Sequence, residues 1–179
     1  MSEKRLCVVS GSFDPITNGH LSLIRKAARL FDNVRVVVCV NSAKSGLLPP
    51  EKRLLLIEDA VKGLPNVTAD RSTGLFADYC HENGVAATVK GIRNAADLMY
   101  EMSLAKMNEA IALAKGYTFP ETVYLSAESK YEYCSSSFVR EMLRYGEEVT
   151  PHVPNAALLQ TFLEEEREKE KTEEKSKKL

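Results

Sequence analysis

The sequence predicts an α/β protein, an open sheet of five parallel strands with helices on both faces. Three observations carry that prediction. Short apolar runs rich in β-branched residues recur at Leu6–Val9, Val34–Val40, Val67–Ala69, Val85–Val89 and Thr122–Leu125. They are continuous rather than alternating, as strands buried on both faces require. Segments with helical periodicity and crossover length lie between them, which implies parallel pairing. The 179 residues, 44% hydrophobic and 27% charged, suffice for one domain with an ordinary core.

The elements follow in order. After the first strand, Leu21, Ile24, Ala28 and Phe31 keep three- and four-residue spacing, with Thr17 or Asn18 placed to cap the helix. The second strand ends at Val40, and Leu54, Ile57 and Val61 repeat the spacing, with Pro50 near the helix start and Gly63 just past its end. A short helix over Leu75–Asn83 is closed by Gly84, and a long one over Asn94–Lys115 by Gly116. The next helix opens in the run Ser135–Ser137 and stops at Gly146; Asn155 opens the last. Residues 1–163 are expected to form the domain. Residues 164–179 hold seven acidic and six basic side chains without an apolar period, so a solvated helical extension or a disordered end is expected there.

Charge narrows the function. Without residues 164–179 the chain carries eighteen charges of each sign. A neutral body argues against nucleic acid as a partner and against a polybasic membrane surface. No apolar run exceeds five residues, as in Val36–Val40, far too short to span a bilayer, and no leader is expected at the N-terminal end. Cys7, Cys39, Cys80 and Cys134 are scattered without a Cys-x-x-Cys pair, which reads as reduced thiols in a cytoplasmic protein, with no metal held by protein ligands.

Open parallel sheets bind ligands beyond the carboxyl ends of their strands. The loop after the first strand, Gly11-Ser12-Phe13-Asp14-Pro15-Ile16-Thr17-Asn18-Gly19-His20, combines small residues that let a ligand approach with a histidine in the first helical turn. Free N–H groups there favour an anion, although a lone histidine at such a place is more often a plain surface residue. The ten residues together resemble the signature of the nucleotidyltransferase superfamily. In the Thr17-x-Gly19-His20 form they are most similar to the phosphopantetheine adenylyltransferase family. Neither a Gly-x-Gly-x-x-Gly fingerprint nor a P-loop is present. The fold implied is Rossmann-like.

The resemblance continues at each later strand end and runs from about Leu6 to Phe162. Lys44 stands where the family's lysine touches the acceptor phosphate and the transferring phosphorus, and Leu75-Phe76 where it lines the pantetheine arm. Lys90-Gly91-Ile92-Arg93, followed by Tyr100-Glu101, resembles the block in which the first cation holds the acceptor phosphate, the second the ATP phosphates, and the glutamate the nucleotide. Lys90 replaces the more usual arginine, a point charge instead of a planar fork. Tyr131 through Ser135-Ser136-Ser137 resembles the block that binds the ATP phosphates, with Tyr131 where many members have tryptophan and Cys134 in place of isoleucine.

The resemblance implies transfer of AMP from ATP to 4′-phosphopantetheine, giving dephospho-coenzyme A and pyrophosphate without a covalent enzyme intermediate. It assigns catalysis to His20 and Lys44. It assigns the acceptor to Ser12, Lys44, Leu75, Phe76 and Lys90. ATP falls to Ser12, Phe13, His20, Gly91, Ile92, Arg93, Glu101, Tyr131 and Ser135–Ser137, with Mg²⁺ sharing the phosphate charge. It also implies a homo-oligomer, a hexamer. His81 and His152 match nothing in the family and read as surface residues. Two alternatives stay open: another phosphate acceptor such as nicotinamide mononucleotide, and a non-catalytic nucleotide or coenzyme A sensor.

Overall fold

The computed structural model describes residues 5–40 and 46–176. Five strands, β1 (Leu6–Gly11), β2 (Asn33–Cys39), β3 (Val67–Ser72), β4 (Ala87–Ile92) and β5 (Glu121–Ser126), form one sheet in the order β3-β2-β1-β4-β5. Every neighbouring pair is parallel. The helices are α1 (Asn18–Leu30), α2 (Pro50–Val61), α3 (Phe76–Glu82), α4 (Ala95–Ala114), α5 (Ser136–Arg144) and α6 (Ala156–Ser176). Strand periodicity divides the core between two faces. Cys7, Val9, Val34, Val36 and Val38 pack with apolar side chains of α1, α2, α5 and α6. Val8 and Val37 point the other way, toward α3 and the end of α4. Ile24 and Ile57, both fully enclosed, would each cost about 2–5 kcal/mol if cut back to alanine.

The strands differ from expectation mainly at their carboxyl ends. β1 continues past Val9 because Ser10 and Gly11 stay paired with Val37 and Val38 of β2. β4 starts later and continues through Lys90, Gly91 and Ile92, held by Tyr124, Leu125 and Ser126 of β5. Between β1 and β4 themselves the pairing covers only Cys7–Ala87 to Val9–Val89. Each strand then stays with its outer neighbour, and the sheet splits where the strand order switches direction.

α6 does not end where the apolar pattern fades; it runs unbroken from Ala156 to Ser176. Lys52, only 9% exposed on α2, explains part of this. Its ammonium lies 2.7 Å from both Glu165 and Glu166 and donates to the Phe162 carbonyl at 3.2 Å. The first turn beyond residue 163 is therefore joined to the body. Removing residues 164–179 takes both carboxylates from Lys52. The expected loss of about 1 kcal/mol lowers Tm by roughly 2–4 °C for a chain of this size. Calorimetry of the two chains checks it, and an unchanged Tm would mean that Glu165 and Glu166 contribute nothing to the fold.

Candidate active site

Because side chains alternate along a strand, the split at β1 and β4 has two chemical faces. Thr88 and Lys90 face α3 and α4. There, with Ser10 and Gly11 of β1, Ser12 just after it, and Gly74, Leu75 and Phe76 at the start of α3, they line a cavity of about 390 Å³. Its far wall is apolar, from Leu104, Met107, Ile111 and Phe119. Gly91 faces α1, where a β-carbon would stand 3.0 Å from Leu23. On that side a small opening of about 70 Å³ is bounded by His20, Gly91, Ile92, Arg93 and Tyr131 among others.

His20 is held by a reciprocal cap. Its backbone N–H donates to Thr17 Oγ1 at 3.3 Å, and its Nδ1 accepts from the Thr17 N–H at 3.1 Å. With Nδ1 an acceptor, the ring proton sits on Nε2, the nitrogen left for a ligand. Thr17 is itself buried and donates to the Cys134 carbonyl at 3.2 Å, tying α1 to the turn before α5. Gly19 makes that approach possible, since a β-carbon there would lie 2.6 Å from the Cys134 carbonyl oxygen. Phe13 supports the imidazole edge-on with ring centroids 5.1 Å apart. It takes φ +45°, a conformation costing a bulky residue about 1–3 kcal/mol.

Asp14 is the residue whose importance the motif conceals. Buried to 5% exposure, its carboxylate accepts from the N–H groups of Leu47 and Leu48 at 2.7 and 3.0 Å and lies 3.2 Å from Arg53 Nε. Arg53 Nε also donates to the Leu48 carbonyl at 2.6 Å, and Arg140 donates to the Asp14 carbonyl at 2.8 Å. The first loop, the approach to α2, and α5 are thus fastened at one buried charge. A buried Arg side chain was the missing signal, for in sequence Arg53 reads as the exposed face of a helix.

The expected site residues divide as follows. His20, Gly91, Ile92, Arg93 and Tyr131 gather at the smaller opening. Ser12, Leu75, Phe76 and Lys90 gather at the larger. Glu101, expected with the nucleotide, lines the larger cavity instead, with Oε2 3.2 Å from Lys90 Nζ. Phe13 turns its ring into the core. Ser135–Ser137 line neither cavity: Ser135 caps the Phe138 N–H, Ser136 donates to the Pro15 carbonyl and Ser137 accepts from Arg140. Arg93 is held by Asp97 at 2.6 Å, one turn along α4. Lys44 lies outside the described residues. His81 is exposed against Tyr117, whereas His152 is half-buried and edge-on to Phe138, so it is more than a surface residue.

Among the described residues no group of three or more His, Cys, Asp or Glu side chains could hold a metal ion, and all four cysteines are free. No described helix is long and apolar enough to cross a membrane.

Residues 8–142 match the family described as cytidylyltransferase-like. The phosphopantetheine adenylyltransferases of Frankia alni and Frankia casuarinae are each 41% identical over 160 residues, covering 87% of this chain and 95% of theirs. The chain belongs to the phosphopantetheine adenylyltransferase family. Solved structures similar in fold include a "putative nicotinate-nucleotide adenylyltransferase" from Vibrio parahaemolyticus, with TM-score 0.63 and 19% identity over 89% of this chain and 93% of that one. Another is a lipopolysaccharide core biosynthesis protein from Thermoplasma volcanium, with TM-score 0.53 and 21% identity over 71% of this chain and all of that one. At such identities the likeness concerns the Rossmann-like fold alone.

The protonation state of His20 follows from its surroundings. Loss of hydration and, second, the positive charge of Arg93 push its pKa down from 6.5 to about 4. His20 is therefore neutral across the physiological range. Its folded pKa lies below the free value, so the unfolded chain binds more protons between the two. This contribution to stability is full above pH 6.5 and is lost as pH falls toward 4. An NMR titration of the His20 ring is expected to show a midpoint near 4. A midpoint at or above the free value would mean that the ring is hydrated and the reciprocal cap is not formed.

Proposed function

We propose that the chain transfers AMP from ATP to 4′-phosphopantetheine, forming dephospho-coenzyme A and pyrophosphate. The observation that carries this reading is a pair of openings lying back to back at the split between β1 and β4. One is largely apolar with Lys90 in its wall; the other holds neutral His20 beside Arg93. A cavity of about 390 Å³ is of the size that encloses a small organic ligand. Its apolar far wall suits an alkyl-amide arm whose phosphate ends at Lys90.

In the reaction, an oxygen of the acceptor phosphate forms a bond to the α-phosphorus of ATP. The bond from that phosphorus to its bridging oxygen breaks, and the electron pair leaves with pyrophosphate. The nucleophile is already an anion, so no protein base is required. Catalysis rests on in-line placement and on donors fixed in advance. His20 Nε2–H donates to an α-phosphoryl oxygen as its charge grows, which a neutral imidazole performs without giving up its proton. Lys44 is assigned beside it by the family resemblance. Lys90 and Ser12 hold the acceptor phosphate. Arg93 meets the departing phosphates, to which Ser135–Ser137, lining neither opening, are assigned by the family resemblance alone. Mg²⁺ held by the nucleotide's phosphates would share their charge with Arg93 and so stabilise the leaving group.

We also propose a homo-oligomer in the cytoplasm, six copies by the resemblance. α4 supports this, for it leaves Met99, Tyr100, Met102, Met107 and Leu113 exposed, Met99 to 71%, along a single helix. Light scattering in solution is expected to give a multiple of the chain mass; a monomer would remove this part of the proposal.

The reaction is tested by pyrophosphate release from ATP and Mg²⁺ with 4′-phosphopantetheine or nicotinamide mononucleotide as acceptor. Release is expected with phosphopantetheine alone, and release only with the mononucleotide would overturn the acceptor. His20→Ala is expected to lower kcat by about 10²–10³-fold, the loss of one transition-state donor, with smaller changes in either KM. An unchanged kcat would take His20 out of the mechanism.

A further inference from the structure

We propose that Glu101 is a specificity-determining counter-ion of Lys90, a carboxylate that the acceptor's phosphate must displace. This rests on the acceptor reading of the larger cavity. Lys90 projects from β4 and Glu101 from α4, and the two meet at 3.2 Å with their side chains only 20% and 21% exposed. The pairing is one of charge without a hydrogen bond. Glu101 Oε2 is enclosed and no donor is aligned with it, although the ammonium is near. Lys90 Nζ instead directs a proton to the Ser10 carbonyl at 3.4 Å. A buried carboxylate oxygen lacking a hydrogen bond is held less firmly than a satisfied one, because its lost hydration is not replaced. Glu101 is therefore a partner that another anion can dislodge.

The cavity makes that exchange unavoidable. Among the described residues Lys90 is the one cation in its wall, and Glu101 lines the same wall. A phosphate that reaches Lys90 also reaches Glu101, and two anions at one ammonium repel each other in an environment poorer in water than the bulk. An ammonium is a compact point charge; its three protons can meet two carboxylates, as those of Lys52 do with Glu165 and Glu166, but one positive charge cannot neutralise a carboxylate together with a phosphate dianion. Lysine at position 90 thus makes the carboxylate and the phosphate rivals. A phosphate dianion can displace the single charge of Glu101, while an uncharged acceptor end has nothing with which to do so. The carboxylate lowers affinity for the phosphorylated acceptor and in return keeps Lys90 from weaker anions.

Calorimetric titration of the full chain without ATP tests this, using 4′-phosphopantetheine and unphosphorylated pantetheine as ligands. In Glu101→Gln, phosphopantetheine is expected to bind at least about fivefold more tightly than in the wild type. Pantetheine is expected to be unchanged within about twofold, which also reports an intact cavity. Glu101→Ala, lacking charge and bulk, should tighten phosphopantetheine in the same direction, whereas Glu101→Asp, which keeps the charge, should not. Weaker or equal phosphopantetheine binding in both neutral variants would overturn the proposal and make Glu101 a support for Lys90. A wild-type chain that binds the two ligands equally would overturn the acceptor reading itself, and this inference with it.

Discussion

The site depends on β1 and β4 parting after three paired residues. Parallel strands stay together only while their hydrogen-bond ladder is continued, and here each strand is claimed beyond Val9 and Val89 by its outer neighbour. Beyond the split, Ser10 and Gly11 line one opening and Gly91 and Ile92 the other. Side-chain alternation then sends Lys90 to one face and Gly91 to the other. Two openings thus meet at a single line of the sheet, one on each face.

Such a split would leave its rim loose if the first loop were not fastened. Asp14 does this with a buried charge, joining the loop to the N–H groups before α2 and to Arg53. Thr17 joins the same loop to Cys134, and Ser136 joins it to α5 through Pro15. The histidine at the rim is then oriented by the Thr17 N–H and hydroxyl and by the edge-on ring of Phe13. Its neutrality follows from burial and, second, from Arg93, while the Thr17 N–H at Nδ1 leaves the one ring proton on Nε2.

Much of this was legible in the sequence, for definite reasons. The strand and helix order followed from apolar periodicity, and the helix ends from Pro50, Gly84, Gly116 and Gly146, since caps act within a few residues of themselves. His20, Lys90 and Arg93 stood out because each lies at or beyond the carboxyl end of an apolar run. Glu101 did not announce its place: it lies two helical turns after Arg93, and only the packing of α4 over β4 shows that it faces Lys90. Arg53 and Lys52 were hidden for a similar reason. A charged helical residue reads as solvated unless its distant partner is known, and those partners, Asp14 and Glu165 with Glu166, are far away in the chain.

By itself the sequence determined the class of fold, the order of its elements, the loop that carries the histidine and the family to which that loop belongs. These rest on local pattern, which a chain carries wherever it is placed. Tertiary structure alone decided where the sheet splits, which cavity each loop faces, that Glu101 opposes Lys90, and that α6 is joined to α2 beyond the end of its apolar pattern. Those outcomes depend on contacts between segments remote in sequence, whose energies exist only once the sheet has brought them together.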